Sequence, residues 1–275
     1  MTEVVLKARS IGRRYGPGCD RCLEATGPTH NTNVCDYCGT VLALWDVSFD
    51  LHAGEILGVV GESGSGKSTL VQCLYFDQPT SSGTLELVGS DGDAFTLSRN
   101  RRRRIRNHLM GMVYQNPTQG LRLGITSGAN IAEKLLEADV YHFERIRDRA
   151  AELLDRTEIP RYYLDALPRT LSGGMQQRIQ IAKALANNPP IVFLDEVTSG
   201  LDVSVQAKVL DLIKALQDQL SISMIVVSHD MGVIRLLADR TIVLKNGHVV
   251  EHGLTDQILE DPHDAYTQLL VHSTL

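Results

Sequence analysis

The sequence predicts an α/β protein whose core is a parallel β-sheet joined by crossover helices. Two observations carry this prediction. A buried strand is predicted at 55–61 and leads into the glycine-rich segment 61–68, and a helical pattern begins at the end of that segment. Further along, apolar runs alternate with helical patterns, in the order strand 191–194, helix 203–220, strand 222–227 and helix 230–238. Such alternation is typical of parallel sheets with crossover connections.

The N-terminal part predicts two strands of one sheet with an insertion between them. Residues 4–15 predict a strand and turn. Strand patterning resumes at Trp45, because the apolar Trp45, Val47, Phe49 and Leu51 alternate with polar residues. Residues 16–44 are rich in Gly, Pro, Thr and Asn and hold four of the five cysteines, so we interpret them as the insertion. A further strand is predicted at 84–88.

The remaining segments predict a helical region and a C-terminal hairpin. Residues 119–187 are predicted to be mostly helical, with Pro117, Pro160 and Pro168 marking breaks. Near the end, strands at 241–245 and 248–251 flank Asn246-Gly247, a pair that favours a two-residue hairpin turn.

Length and charge bound the class of protein. With 275 residues the chain is long enough for one large domain, which we expect to span 1–275. The net charge of −6 argues against direct nucleic-acid binding. No apolar run approaches the roughly 18 residues of a membrane span, and the start lacks a secretory signal pattern. We therefore expect a cytoplasmic protein with no transmembrane segment.

The one basic concentration, residues 99–106, holds four consecutive arginines from Arg101 to Arg104. It predicts either a solvated helix face or a docking surface for an acidic partner. The composition does not decide between the two.

Residues 61–68, Gly-Glu-Ser-Gly-Ser-Gly-Lys-Ser, form a complete phosphate-binding loop. Its glycines let consecutive backbone N–H groups point inward, and the following helix adds its positive N-terminal end. Lys67 supplies a cation for the β- and γ-phosphates, and the Ser68 hydroxyl is the expected Mg²⁺ ligand. The predicted phosphate-binding residues are Gly61, Gly64, Ser65, Gly66, Lys67, Ser68 and Thr69.

Two further motifs accompany this loop. Residues 171–178 read Leu-Ser-Gly-Gly-Met-Gln-Gln-Arg, and the apolar run at 191–194 ends in Asp195-Glu196. With the loop, they resemble the ABC (ATP-binding cassette) ATPase superfamily, in which two cassettes close around two ATP molecules. The resemblance implies a P-loop cassette with an antiparallel β subdomain, a parallel-sheet core and a helical subdomain at 119–187. It also implies ATP hydrolysis, with ATP and Mg²⁺ as cofactors, and a homodimer.

The resemblance implies individual roles on the nucleotide. Asp195 would hold Mg²⁺ through its waters, and Glu196 would polarise the attacking water as general base. Gln115 would contact both Mg²⁺ and that water. His229 would act as a switch on the γ-phosphate. Tyr15 would stack on adenine, with a purely packing tyrosine as the alternative.

Other implied residues act between cassettes. Ser172, Gly173 and Gly174 would reach across the dimer to the γ-phosphate on the other chain, where small residues let a backbone approach an anion. Asp202, in the loop 199–202, would couple the two sites. The chain departs from the family at Val197, which stands where a proline usually follows the catalytic glutamate. This removes no reacting group, so we expect an active enzyme.

Within the insertion, Cys19-x-x-Cys22 and Cys35-x-x-Cys38 form two short knuckles. Four thiolates brought together by such spacing suit a closed, tetrahedral Zn²⁺ site. A single iron in a rubredoxin-like site is the chemical alternative, and we favour zinc as a structural staple. Cys73 follows the phosphate loop and is expected to be simply buried.

Three stretches, 120–135, 167–182 and 253–270, extend beyond the shared motifs and indicate which kind of ABC ATPase the chain resembles. Together they resemble the ATP-binding subunit of the carbon–phosphorus lyase system, which breaks down phosphonates. That family's ATPase docks on a soluble lyase core. The alternative is the ATPase subunit of a peptide importer, and the stretch 120–135 favours the lyase. Within it, Arg122 is the expected contact with the core and Leu121 its apolar neighbour.

Overall fold

The computed structural model describes residues 3–274 in two compact units. The first comprises residues up to Ser98 and from Ile225 onward, and the second comprises Arg99–Met224. Within the described residues, no helix is both long enough and apolar enough to cross a membrane.

An antiparallel sheet forms the N-terminal part of the first unit. Strand β1 (Val4–Tyr15) lies at its centre, between β2 (Val41–His52) and β4 (Ser82–Leu87). Strand β3 (Ile56–Val60) follows β2 in the chain but belongs to a different sheet. Leu6, Ala8 and Ile11 of β1 are fully buried in the core. The three strands predicted in this region are confirmed, although β2 begins at Val41 rather than at Trp45.

Trp45 does not lie on the buried face of β2, contrary to the predicted alternation. Between the pairs Ile11–Val47 and Arg13–Leu44 the register shifts, because β2 advances one residue more than β1. This bulge, with Asp46 at φ 53°, reverses the phase of the strand. Leu44 and Val47 are therefore buried, while the intervening Trp45 is 38% exposed.

A second sheet in the first unit has the strand order β7 (Ser223–Ser228), β3, β8 (Arg240–Lys245) and β9 (His248–Leu254). β3 and β8 run parallel, and β8 and β9 form the predicted antiparallel hairpin. β3 is buried at all five positions. The helices of this unit are α1 (Lys67–Leu74), α8 (Met231–Leu237), α9 (Thr255–Glu260) and α10 (Ala265–Thr274).

The hairpin turn lies against the phosphate loop. Asn246 and Gly247 have φ values of 47° and 80°, as a two-residue turn matched to the strand twist requires. The Gly247 N–H donates to the Ser65 carbonyl (2.9 Å), and the Gly247 carbonyl accepts the N–H of Trp45 (2.8 Å). The turn therefore joins the loop to β2.

The second unit packs helices on the parallel strand pair β5 (Met110–Val113) and β6 (Ile191–Asp195). β6 was predicted, but β5 was not, since four residues directly after a helix carry no alternation to detect. The helices, which confirm the helical prediction for 119–187, are α2 (Arg99–Leu109), α3 (Pro117–Gly120), α4 (Ser127–Glu137), α5 (Phe143–Arg156), α6 (Gly173–Ala184) and α7 (Val203–Leu220), with short 3-10 helices at Arg161–Asp165 and Pro168–Thr170.

The arginine-rich segment forms α2. Four of its arginine side chains are exposed: Arg99, Arg101, Arg103 and Arg104. Ile105 and Asn107 are buried. Most of the exposed side chains of the helix are therefore arginines.

Candidate nucleotide site and cysteine cluster

The predicted nucleotide residues divide between the two units. Tyr15, the phosphate loop 61–68 and His229 belong to the first unit. Gln115, the segment 172–174, the pair Asp195-Glu196 and Asp202 belong to the second.

The phosphate loop connects β3 to α1, as predicted. Gly61, Gly64 and Gly66 all have positive φ, at 150°, 83° and 110°. A Cβ atom on Gly61 would lie 2.1 Å from the Leu244 carbonyl oxygen, and one on Gly66 would lie 2.3 Å from that of Ala43. No other residue fits at Gly61 or Gly66, because both the backbone conformation and the space require glycine.

Lys67 begins α1 and folds back over the loop. Its buried ammonium donates hydrogen bonds to the carbonyls of Gly61 (2.7 Å) and Glu62 (2.9 Å). On the other side, the Glu62 N–H donates to the Tyr266 hydroxyl of α10 at 2.8 Å. The loop is thus held by its own lysine and by the C-terminal helix. Partial burial of the Tyr266 side chain raises the pKa of its hydroxyl.

The loop has the donors that a phosphate needs. The first turn of α1, which carries the half-buried Ser68 and Thr69, has no acidic residue and no side-chain cap, so its N–H groups face the loop without a competing carboxylate. The Ser65 hydroxyl is buried and finds no hydrogen-bond partner among residues 3–274. An unpaired buried hydroxyl inside a loop of glycines fits a bound anion.

Tyr15 and His229 are both accessible. Tyr15 ends β1 and is 38% exposed; the Arg13 guanidinium lies 4.4 Å from the centre of its ring, and its hydroxyl donates to the Gln78 side chain. A ring held in this way can offer its remaining face to a base. His229 directly follows the buried strand β7 and is exposed.

In the second unit, Gln115 and Glu196 meet. Asp195 is the last residue of β6 and is buried, and Glu196 follows it at φ 46°. This left-handed conformation is uncommon for a side-chain-bearing residue and is found often at functional sites. Gln115 Nε2 donates to Glu196 Oε2 at 2.9 Å and to Ser199 Oγ at 3.4 Å. The amide of Gln115 therefore orients the carboxylate.

The segment 172–174 begins α6. The Ser172 hydroxyl accepts the Met175 N–H at 3.3 Å and so caps the helix. Ser172 and Gly173 are exposed, whereas Gly174 is buried. A Cβ atom at Gly174 would lie 2.5 Å from Val205 Cγ1. Close packing on Val205 thus favours glycine at this position.

Asp202 caps the next long helix, α7. Its Oδ1 accepts hydrogen bonds from the Ser204 hydroxyl (2.8 Å) and from the Val205 N–H (3.0 Å). These hydrogen bonds lower the pKa of the Asp202 carboxyl, and the one from the Ser204 hydroxyl has the largest effect. The carboxylate stays ionised and fixes the start of α7 after the loop 199–202.

Gln180 is a positioning residue that sequence reasoning missed. From α6, its buried side chain accepts the Tyr114 N–H (2.6 Å) and donates to the Tyr114 carbonyl (3.1 Å). Both backbone groups just before Gln115 are therefore held by one amide. The position of this glutamine directly between Ile179 and Ile181 was the available signal, because buried polar side chains are normally hydrogen-bonded.

The structure corrects one expected partner contact. Leu121 is only 3% exposed, so the prediction that it touches a partner is wrong. Arg122 remains accessible: its side chain is 72% exposed, and its Nε lies 3.1 Å from Glu133 Oε1. Glu133 also binds Lys183, with Nζ 2.7 Å from Oε2. Arg122 thus stands at the edge of a small charged cluster.

The four cysteines of the insertion converge on one point, and Cys73 lies buried elsewhere, as expected. All four sulfur atoms lie within 4.8 Å of one another, with Cys19–Cys22, Cys19–Cys35 and Cys22–Cys38 separations of 3.6, 3.7 and 3.5 Å. Four thiolates on one Zn²⁺ at about 2.3 Å stand roughly 3.8 Å apart in a tetrahedron. The arrangement therefore fits a tetrahedral metal ion.

The protonation of the thiols is uneven. Desolvation raises the pKa of Cys19 to about 12, while the Thr40 hydroxyl, 3.2 Å from the Cys38 sulfur, is the main cause that lowers the pKa of Cys38 to about 6. One thiolate thus forms readily at neutral pH, and metal binding must release protons from other thiols.

Comparison with known proteins agrees with this geometry. The ABC transporter family profile matches residues 44–199. An Escherichia coli (strain K12) protein with the provisional name phosphonates utilization ATP-binding protein PhnK is 49% identical over 230 residues, which cover 84% of this chain and 90% of that protein. The oligopeptide transport ATP-binding protein OppD of Bacillus subtilis (strain 168) is 38% identical. The aligned region covers 86% of this chain and 68% of OppD.

Solved structures show the same fold. A dimeric post-hydrolysis state of the ATP-binding cassette MJ0796, bound to ADP and phosphate, superposes with a TM-score of 0.75 at 29% identity. The superposition covers 91% of this chain and 98% of that one. The cassette cbiO1 from Clostridium perfringens gives the same TM-score at 25% identity, covering 94% of this chain and 92% of its own. The predicted fold class is therefore confirmed.

Proposed function

This chain is an ATPase of the ABC transporter family, and from that premise we propose that it docks on a carbon–phosphorus lyase core and hydrolyses ATP to support phosphonate breakdown. Sequence identity carries the proposal. The phosphonates utilization protein of Escherichia coli is 49% identical, whereas the peptide import and oligopeptide transport proteins compared reach 35–42%. The residues of the stretch 120–135 support the same choice.

On this proposal the phosphate loop, including the ammonium of Lys67, holds the phosphates. Tyr15 stacks on the adenine base. Bound Mg²⁺ would neutralise phosphate charge, with Ser68 and Gln115 as ligands and Asp195 acting through water. Glu196 accepts a proton from the attacking water, and the 2.9 Å hydrogen bond from Gln115 keeps its carboxylate oriented. His229 contacts the γ-phosphate.

The cassette works as a homodimer in the cytoplasm, again as a proposal. Ser172 and Gly173, exposed at the start of α6, contact the γ-phosphate bound by the other chain. Asp202 couples the two sites from the start of α7. The chain forms one nucleotide-binding domain over 1–275, with the insertion at 16–44 and a helical subdomain at 119–187.

We propose that Cys19, Cys22, Cys35 and Cys38 hold Zn²⁺. The sulfur separations of 3.5–3.7 Å support a four-thiolate site. Purified protein should carry about one Zn²⁺ per chain and be colourless, because Zn²⁺ has a filled d shell. Metal analysis and an absorption spectrum check this. Stoichiometric iron with visible charge-transfer bands would support the rubredoxin-like alternative instead, and a Cys35→Ser variant should lose the metal in either case.

Arg122→Glu tests the proposed partner. The exposed guanidinium lies outside every phosphate-binding motif, so ATP hydrolysis by the isolated chain should be unchanged. Binding to the lyase core should weaken at least about 10-fold, since arginine is enriched among the few residues that dominate interfaces. A pull-down with purified core complex, run beside an ATPase assay, measures both.

Two controls sharpen this test. Arg145→Glu makes the same charge change at an exposed position of α5 and should bind the core normally. Arg122→Ala removes the guanidinium without placing a second carboxylate beside Glu133. Undiminished core binding by both Arg122 variants would refute the docking role, and co-purification with membrane permease subunits would favour the peptide importer alternative.

A further inference from the structure

The cysteine insertion reaches the phosphate loop directly. The Asn33 side chain donates a hydrogen bond from Nδ2 to the Gly64 carbonyl, at 3.3 Å. Gly64 is the middle glycine of the loop and has φ 83°. This bond turns a loop carbonyl toward the insertion, and in a phosphate-binding loop carbonyls must face away from the anion while N–H groups face it.

The position of Asn33 depends on the cysteine cluster. The Asn33 carbonyl accepts the Leu42 N–H at 2.7 Å, and this bond pairs Asn33 with the second residue of β2. Two residues later, Cys35 is fully buried and its N–H donates to the Thr40 carbonyl at 2.9 Å. The residue between them, Val34, forms a bridge with Val41. Asn33 is therefore anchored from one side by β2 and from the other by a metal-site cysteine.

The insertion has almost no apolar core apart from the cluster. The apolar cluster around the cysteines consists of the buried Cys22, Cys35 and Leu42, with Ala25 and Cys38 packed against them. So small a core does not offset the entropy of ordering a loop of this length. In small zinc domains the binding free energy of the structural metal ion is also folding free energy. The metal thus determines whether the insertion keeps the shape that presents Asn33.

A second contact leads from the insertion to the same loop. Gly27 packs so closely on His248 that a Cβ atom there would lie 3.3 Å from the imidazole. The Nδ1 atom of His248 lies 2.9 Å from the carbonyl oxygen of Asn246 in the hairpin turn. The neighbouring Gly247 donates to the Ser65 carbonyl. The insertion therefore holds the Gly64 carbonyl directly, and it packs on the hairpin whose turn holds the Ser65 carbonyl.

We propose that the metal-loaded cysteine cluster sets nucleotide affinity by holding Asn33 on the Gly64 carbonyl. Asn33 acts as a positioning residue, and the metal acts only through it and through the packing on the hairpin. The inference rests on the proposed metal site and on nucleotide binding by the family. It assigns to the insertion a role in keeping the phosphate loop ready for an anion.

The test compares affinity for a fluorescent ATP analogue in four samples of the full chain. Asn33→Ala should bind about 2- to 10-fold more weakly than wild type, the range expected for one partly exposed hydrogen bond. Wild type stripped of metal by a chelator should lose at least as much, since both contacts loosen. Stripping Asn33→Ala should cost less than stripping wild type, because the two changes remove the same bond.

Asn31→Gly is the matched control. Asn31 is exposed, lies in the same insertion and has φ 53°, which glycine adopts without strain; its affinity should equal that of wild type. Hydrogen exchange over 61–68 provides a second readout and should become faster on metal removal and in Asn33→Ala. Circular dichroism confirms that the stripped chain remains folded outside the insertion.

Three results would overturn the inference. Unchanged affinity after complete metal removal would do so, and so would an equal loss on stripping Asn33→Ala and wild type. A purified chain that takes up neither Zn²⁺ nor iron would overturn it together with the metal site. Failure of the phosphonate proposal would leave it standing, because the affinity is measured on the isolated chain without any lyase core.

Discussion

Glu196→Gln is expected to lower kcat for ATP hydrolysis at least about 100-fold, since a positioned general base contributes about 10²–10⁴-fold. The amide has nearly the shape of the carboxylate but cannot accept the proton of the attacking water. Affinity for ATP should persist, because Lys67 and the phosphate loop are unchanged. Bound ATP that is not hydrolysed should then hold two chains together, which light scattering would detect as an ATP-dependent dimer.

The matched control is Glu260→Gln, the same change at an exposed position of α9, which should hydrolyse ATP at the wild-type rate. Phosphate release and equilibrium nucleotide binding are measured on both variants. Turnover near the wild-type rate in Glu196→Gln would show that Glu196 is not the base. Loss of ATP binding in that variant would point instead to a structural role for its left-handed turn.

Mixing two inactive variants should restore hydrolysis if each active site is built from two chains. Lys67→Ala removes the phosphate-binding cation but leaves the segment 172–174 intact. Gly173→Asp leaves the phosphate loop intact but places a carboxylate where the partner's γ-phosphate would lie. A mixed dimer contains one complete site, so random pairing should recover about a quarter of wild-type activity if the two sites act independently.

Gly173 is the appropriate position for this experiment. Apart from its chain neighbours and its own helix backbone, a Cβ at Gly173 would have its nearest atom 3.8 Å away, in Leu201, which is an ordinary contact distance. At Gly174 the same change would collide with Val205 and would confuse misfolding with loss of function. Activity of either single variant close to wild type, or no recovery on mixing two chains shown to pair, would contradict the composite site.

Much of the fold could be predicted from sequence because its signals are local. The phosphate loop has its glycines, lysine and serine within eight residues, and φ values of the glycines follow from that composition. Helix α7 was predicted at its observed bounds, Val203–Leu220, because Asp202 caps its start. The hairpin at Asn246-Gly247 and the convergence of two cysteine knuckles likewise follow from short, specific spacings.

What escaped prediction depends on contacts between residues far apart in the chain. The bulge that exposes Trp45 arises from pairing with β1, and no pattern within β2 announces it. Leu121 looked available to a partner, but the packing of the helical unit buries it. Gln180 and Asn33 carry no motif of their own; their roles exist only because the fold brings one amide to the Tyr114 peptide and the other to the Gly64 carbonyl.

The sequence by itself thus determined the candidate catalytic groups and metal ligands of this protein, since such groups must be specific residue types at specific spacings. The tertiary structure alone decided which side chains orient those groups. Orientation is a matter of distances of about 3 Å between atoms, and such distances between remote segments are set by packing and strand register rather than by any local pattern.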